Sequence, residues 1–311
     1  MRKVSLLFIG LTIITTSFAQ MGGKAGMANE DLSQIKELKS SVLYIYIEKP
    51  GVIGQIDVSK KSNEAKVETR DFYKEVITEY WNFCEYKILN KDEYKKLSKE
   101  KDFYFLTNTL KGMVTTATPG ASGTRGGKAG TGLFMLSKGK SKMNNVIKNT
   151  SVFTIPATNI FTKNLNGKLK DVDVVKLSKE KIKSDILLIN NYLNDCIKYN
   201  TASMREIGVN NAPSIKGKKV LFHRRFVNFE QEELKGFEYF EPLVMKNAEI
   251  KDSYSELNAN KDLLVFRPLF LPVCVITNEE YNICYYYKPG KAIKPRATIE
   301  DIQELDEDIG K

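Results

Sequence analysis

Histidine occurs once in these 311 residues, at His223, and tryptophan once, at Trp81. A single imidazole excludes a His-rich zinc site. It also obliges any His-dependent triad or general base to use His223. Cysteine is scarce: Cys84, Cys196, Cys274 and Cys284 form no C-x-x-C, which argues against a thioredoxin-type redox pair. The chain has no G-x-S-x-G, no H-E-x-x-H and no calcium-loop pattern. Its acid pairs, Glu232-Glu233 and Glu279-Glu280, are adjacent, so neither pair converges on one point from a helix or strand. Carboxylate catalysis would need groups assembled from separate loops.

Long apolar runs are also missing, apart from one near the N-terminus. Arg2 and Lys3 precede an apolar segment, Val4–Ile14, and Ser17 and Ala19 follow at the −3 and −1 positions of a cut before Gln20. That is the layout of a signal peptide. The run is short of the roughly 20 residues a spanning helix requires. No cysteine follows it that could carry a lipid, and no later stretch approaches spanning length. The expected product is a periplasmic or secreted protein with no transmembrane anchor after cleavage. Loss of Arg2 and Lys3 leaves 46 basic against 38 acidic residues. This moderate surplus suits an envelope protein or an anionic envelope polymer as partner, and does not by itself imply nucleic acid.

The remainder alternates strand and helix signals. "SVLYIYIE", "CEYKIL", "DFYFLTNT" and "TGLFMLSKG" read as strands of a first half, with helices at "DFYKEVITEYWNF" and, opened by Asn90, "KDEYKKLSKEK". In a second half "KKVLFHRRF", "EYFEPLVM", "DLLVFRPL", "PVCVIT" and "NICYYY" read as strands. Helices are expected there at "NFEQEELKGF" and "NAEIKDSYSELNAN". The fold class is α/β, with α+β as the neighbouring alternative. Each of two similar small-sheet halves runs roughly β-α-β-α-β-β, a weak internal duplication. The expected division is a signal peptide at 1–19, a flexible leader at 20–38, a first half at 39–163 and a connecting amphipathic helix at 177–200. A second half follows at 215–296, then an acidic C-terminal helix or tail at 297–311 for which fraying is the simpler expectation.

The glycine-rich stretch Thr118–Gly132 invites comparison with a phosphate loop. Aligned on Gly127-Lys128, a Walker A motif would find Ser122 in place of its first glycine and Ala129 in place of its metal-binding hydroxyl. The stretch leads into a strand pattern and not into a helix, whose N-terminus would face the anion. It is read as a flexible loop offering Arg125 and Lys128 as contacts, with no cofactor. A second basic candidate is the strand carrying Lys218, Lys219, His223, Arg224 and Arg225. As an anion-recognition strip it would use the bidentate reach of arginine. As a plain structural feature it would be an edge strand whose charges discourage sheet-to-sheet pairing. Cys274 and Cys284 fall in one expected hairpin, where they either bridge across the strands or remain buried free thiols. The tyrosines of "YIYIE" and "CYYYKP" are read as cross-strand packing.

The segments "YWNFCEYKILNKDEYKKLSKEKDFYFL" and "GLFMLSKGK" resemble a group of uncharacterised exported proteins of Gram-negative bacteria. The resemblance covers most of the first half and, more faintly, "DLLVF" through "VCVITNEEYNICYYY"; it implies no catalytic residue. The function expected from the sequence is a non-enzymatic binding or envelope-associated protein. The alternative is an exported hydrolase with His223 as an acid–base group.

Overall fold

The computed structural model describes residues 31–47, 60–97, 103–107, 133–138, 150–156, 173–224, 226–245, 263–270, 273–288 and 296–311. The signal peptide with its cleavage point, the glycine-rich stretch and the expected helix at 247–260 lie outside these residues. The α/β architecture holds, and the described residues form two five-stranded sheets.

The first sheet comprises β1 (Leu43–Tyr46), β2 (Tyr86–Ile88), β3 (Tyr104–Thr107), β4 (Leu133–Lys138) and β5 (Thr150–Pro156), in the order β2-β1-β3-β4-β5. Strand β1 runs parallel to β2 and β3, whereas β3–β4 and β4–β5 are antiparallel. The second comprises β6 (Lys219–His223), β7 (Glu241–Met245), β8 (Leu263–Phe270), β9 (Val273–Thr277) and β10 (Ile283–Tyr287). Its order is β7-β6-β8-β9-β10, again with a parallel trio followed by two antiparallel strands. The two halves therefore share order and direction strand for strand.

Alternation along β1 explains how the first sheet is covered. Leu43 and Ile45 face a core formed with Ile35 and Leu38 of α1 (Leu32–Lys39), Tyr73, Val76 and Ile77 of α2 (Lys60–Tyr80), and the apolar side of α4 (Asp173–Lys198). Tyr44 and Tyr46 face the other way. There they meet Tyr94 and Leu97 of α3 (Lys91–Leu97) and the rings of Phe103 and Phe105. Packing is thus the observed role of the "YIYIE" tyrosines. Asn90 opens α3 as its composition suggests: its Oδ1 accepts the amides of Asp92 and Glu93, and Glu93 Oε2 accepts the Asn90 amide in return.

Two expectations at the ends of the chain are corrected. The leader is not flexible up to residue 38, because Leu32–Lys39 is helical. Asp31 Oδ1 caps the Ser33 and Gln34 amides at 3.0 and 3.2 Å, and the i, i+3 spacing of Ile35 and Leu38 buries one face. The C-terminal segment does not fray either. Helix α6 (Ile299–Gly310) is opened by a Thr298–Asp301 capping box and buries Ile302, Leu305 and Ile309 in the second core. The expected helix at "NFEQEELKGF" contracts to one 3-10 turn, Gln231–Glu233. The turn has a use at the sheet edge: Gln231 Oε1 accepts the Val244 amide at 2.7 Å and its Nε2 donates to the Pro242 carbonyl at 3.4 Å. The outer edge of β7 is thereby capped by a side chain.

Candidate site at the carboxyl ends of the second sheet

Strand β6 is bonded on both sides, to β7 and to β8, so its charges do not guard a sheet edge. They do not form one strip either. Lys218 and Lys219 stand at the start of the strand and His223 at its end, about 13 Å away at the ordinary rise per residue. Lys218 Nζ lies 3.7 Å from Glu279 and Lys219 Nζ 3.1 Å from Glu241. Arg224 is ion-paired with Glu230. Arg225, Arg125 and Lys128 lie outside the described residues.

The end of β6 is where the topology changes direction. From β6 the chain goes to β7 on one side and then returns to β8 on the other. In open parallel sheets, ligands bind beyond the carboxyl ends of strands at such a switch point. Phe222 pairs with Val244 of β7 and Phe266 of β8, and the Phe222 and Phe266 rings lie 5.3 Å apart in the second core. One step further along, alternation turns His223 and Arg267 together onto the opposite face. The resulting row reads Met245, His223, Arg267, Val275: His223 is in register with Met245, and Arg267 with Val275. Leu221, Leu243 and Val265 lie one rung behind on the same face, Leu243 and Val265 half-buried. His223 is itself half-buried, with its ring 5.4 Å from that of Phe226. Arg267 Nη2 is buried and has no hydrogen-bond partner among the described residues.

The matching row of the first sheet makes the contrast plain. Leu43 pairs with Tyr104 as Val220 pairs with Leu264, which sets Tyr46 where His223 stands and Thr107 where Arg267 stands. There the row is closed: Tyr46 stacks on Tyr94 at 4.2 Å between centroids, and Tyr46, Leu89 and Thr107 are no more than 7 % exposed. At these equivalent rungs the first sheet sets a stacked tyrosine and a threonine, and the second sets His223 and Arg267. Sequence reasoning found His223 and missed Arg267. The available signal was one cation inside the apolar run "LLVFRPLF", but only the register of β6 against β8 brings it beside the histidine.

A second polar group is structural. Asn211 at the end of α5 (Met204–Asn211) donates through Nδ2 to Asp195 Oδ2 at 2.9 Å and to the Ile283 carbonyl at 3.1 Å. Its Oδ1 accepts from Tyr199, whose hydroxyl in turn accepts from Lys198. This chain ties α4, α5 and β10 together. Burial raises the Asp195 carboxyl above its ordinary range, against the hydrogen bond from Asn211 and the nearby Lys198 charge.

The cysteines correct the possible disulfide. Cys274 and Cys284 are both free thiols, because the register sets Cys274 opposite Tyr287 while Cys284 sits in the bulge between Ile283 and Tyr285. Burial pushes the Cys274 thiol up to about 12 and that of Cys284 to about 11. No cluster of His, Cys, Asp and Glu that could hold a metal ion occurs among the described residues. No helix among them is long and apolar enough to cross a membrane.

The fold and this row define an α/β protein of two like-wound sheets, with a cationic switch point on the second. Comparison with protein-family models, with curated proteins and with solved structures returns no match.

Proposed function

We propose that the protein is an exported, non-enzymatic binding protein of the periplasm or cell exterior, and that it takes its ligand beyond the carboxyl ends of β6, β7 and β8. The observation that carries this reading is the difference between equivalent rows. A position sealed by Tyr46, Tyr94 and Thr107 in the first sheet holds His223 and Arg267 in the second. Burying a guanidinium nitrogen without a partner costs stability. A bound ligand that satisfies it accounts for keeping an arginine where the sister sheet keeps a threonine. The partner expected from the sequence, an envelope protein or an anionic envelope polymer, meets this site with the charge complementarity that its cations call for.

The test is hydrogen exchange of the chain secreted by its own leader, with and without an extract of the cell envelope. Added protection at residues 221–224, 243–245 and 265–269 is the expected result. Unchanged exchange at those residues, or recovery of the chain in the cytoplasm alone, would overturn the reading. Progressive breakdown of an extract component that depends on His223 would instead favour the exported hydrolase.

A further inference from the structure

We infer that Cys84 is an oxidation site: a hydroperoxide transfers one oxygen to its thiol, and the indole N–H of Trp81 holds the oxygen so added.

The four free cysteines differ in access. Cys196, Cys274 and Cys284 are buried, whereas Cys84 is only half-buried. Burial pushes the Cys196 and Cys274 thiols up to about 12 and that of Cys284 to about 11, so at neutral pH they carry almost none of the reactive thiolate. Cys84 stands in the turn between α2 and β2. Two bonds fix that turn: the Asn82 amide donates to Asn190 Oδ1 at 3.0 Å, and the Glu85 carbonyl accepts the Leu43 amide at 2.8 Å.

Three residues before the thiol, Trp81 is 6 % exposed, and its Nε1 is buried without a hydrogen-bond partner among the described residues. Burial raises the Cys84 thiol above its ordinary range. The Trp81 N–H, directed at the sulfur, and the Lys39 charge act against that rise, and the Glu85 charge adds to it. A thiol sulfur is too weak an acceptor to satisfy a buried donor. An oxygen on that sulfur is a strong one, so the oxidised side chain fits the site better than the thiol does. Lys39, whose Nζ lies 4.7 Å from the centre of the Phe83 ring, brings a positive charge to the same turn.

In the oxidation step the thiolate sulfur attacks one peroxide oxygen. An S–O bond forms as the O–O bond breaks, and sulfur gives up the two electrons that the peroxide takes. The leaving hydroxide or alkoxide ends with the thiol's proton. Thiol and hydroperoxide thus become sulfenic acid and water or an alcohol.

Trp81 is the only tryptophan, so its indole signal reports this site alone. The native chain, ¹⁵N-labelled at tryptophan, is treated with hydrogen peroxide, and dimedone traps sulfenic acid in timed samples for peptide mass spectrometry. The adduct is expected on Cys84 and not on Cys196, Cys274 or Cys284. The indole N–H resonance should move downfield as the adduct-forming species accumulates and return on addition of dithiothreitol. The rate should climb between about pH 6 and 9 as thiolate forms. Trp81→Phe keeps an apolar ring and loses the donor. Its sulfenic acid should pass to sulfinic acid about fivefold faster or more, as loss of a hydrogen bond to a strongly polar group implies. Cys84→Ser should give no adduct at position 84 and an unmoved indole resonance. Adducts formed first on the buried cysteines, an indole resonance that Cys84 oxidation leaves in place, or a folded Trp81→Phe variant whose sulfenic acid lasts as long as the native one would each overturn the inference. If Trp81→Phe does not fold, the indole resonance of the native chain decides alone.

Discussion

Protonation of Asp195 is coupled to the fold. The residue is buried on α4, and burial lifts its carboxyl above the ordinary 3.8 despite the Asn211 hydrogen bond. A carboxyl whose folded-state pKa exceeds its unfolded value holds its proton more readily when folded. Stability is then fully present below the unfolded value and declines as pH rises from about 4 through the raised one. Asp195→Asn keeps an acceptor for Asn211 and removes the charge. We expect its urea midpoint to match the native chain's below about pH 3.5 and to gain on it between about pH 4 and 7. Equal midpoints across that range would show that solvent or Lys198 offsets the burial cost. Titration of residues such as this is invisible in sequence, because Asp195 in "NYLNDCIK" falls on an amphipathic helix whose burial depends on what packs there. His223 stood out in the sequence by being alone. Arg267 did not, because its meaning lies in the pairing of strands 44 residues apart.

At the scale of elements, helix α6 is fastened by more than its apolar face. Asp306 accepts the amides of Glu238 and Tyr239, both at 2.9 Å, and so satisfies the turn that leads into β7. Asp306→Ala leaves two backbone donors without that acceptor and should cost about 2 kcal/mol. Asp306→Asn retains one acceptor oxygen and should recover about half, as measured by chemical denaturation. Equal loss in both variants would assign the effect to charge. The sequence made most strands legible, since "VLYIY", "KVLFH" and "PVCVIT" are short apolar runs rich in β-branched and aromatic residues. Three elements escaped it for separate reasons. Helix α1 carries a proper cap and an i, i+3 apolar pair but lies in a polar leader. Strand β5 mixes Thr and Ser with Phe153 and ends on Pro156. Helix α5 contains Gly208 and two terminal asparagines, poor helix formers. The glycine lets α5 pack close to β10, since a Cβ on it would touch the Tyr285 backbone at 3.4 Å.

The whole molecule raises the question of whether two like-wound sheets fold as two bodies. Helix α4 argues that they do not. Its Ile182, Ile186, Ile189, Tyr192, Leu193 and Cys196 share one core with β1, β3 and Phe153 of the first sheet, and that core continues into Leu269, Val273, Val275 and Ile283 of the second. Each fully buried apolar side chain of this shared stratum contributes about 2 kcal/mol of burial to both sheets at once. Polar staples reinforce it: Asn82 on the first half receives Nδ2–H bonds from Asn190 and Asn194, and Asn191 reaches the Glu280 carbonyl in the β9–β10 hairpin. Equal topology therefore coexists with a common interior, and the two sheets differ in what stands at the equivalent rungs, Tyr46 and Thr107 in the first and His223 and Arg267 in the second. Calorimetry should give one cooperative transition. Leu193→Ala should lower its free energy by about 3 kcal/mol as a unit. Residues 201–311 expressed without α4 should expose Val273, Val275 and Ile283 and aggregate, while residues 173–311, which retain α4, should be the more soluble of the two. Two separate transitions, with Leu193→Ala moving one alone, would show instead that each sheet closes over its own core.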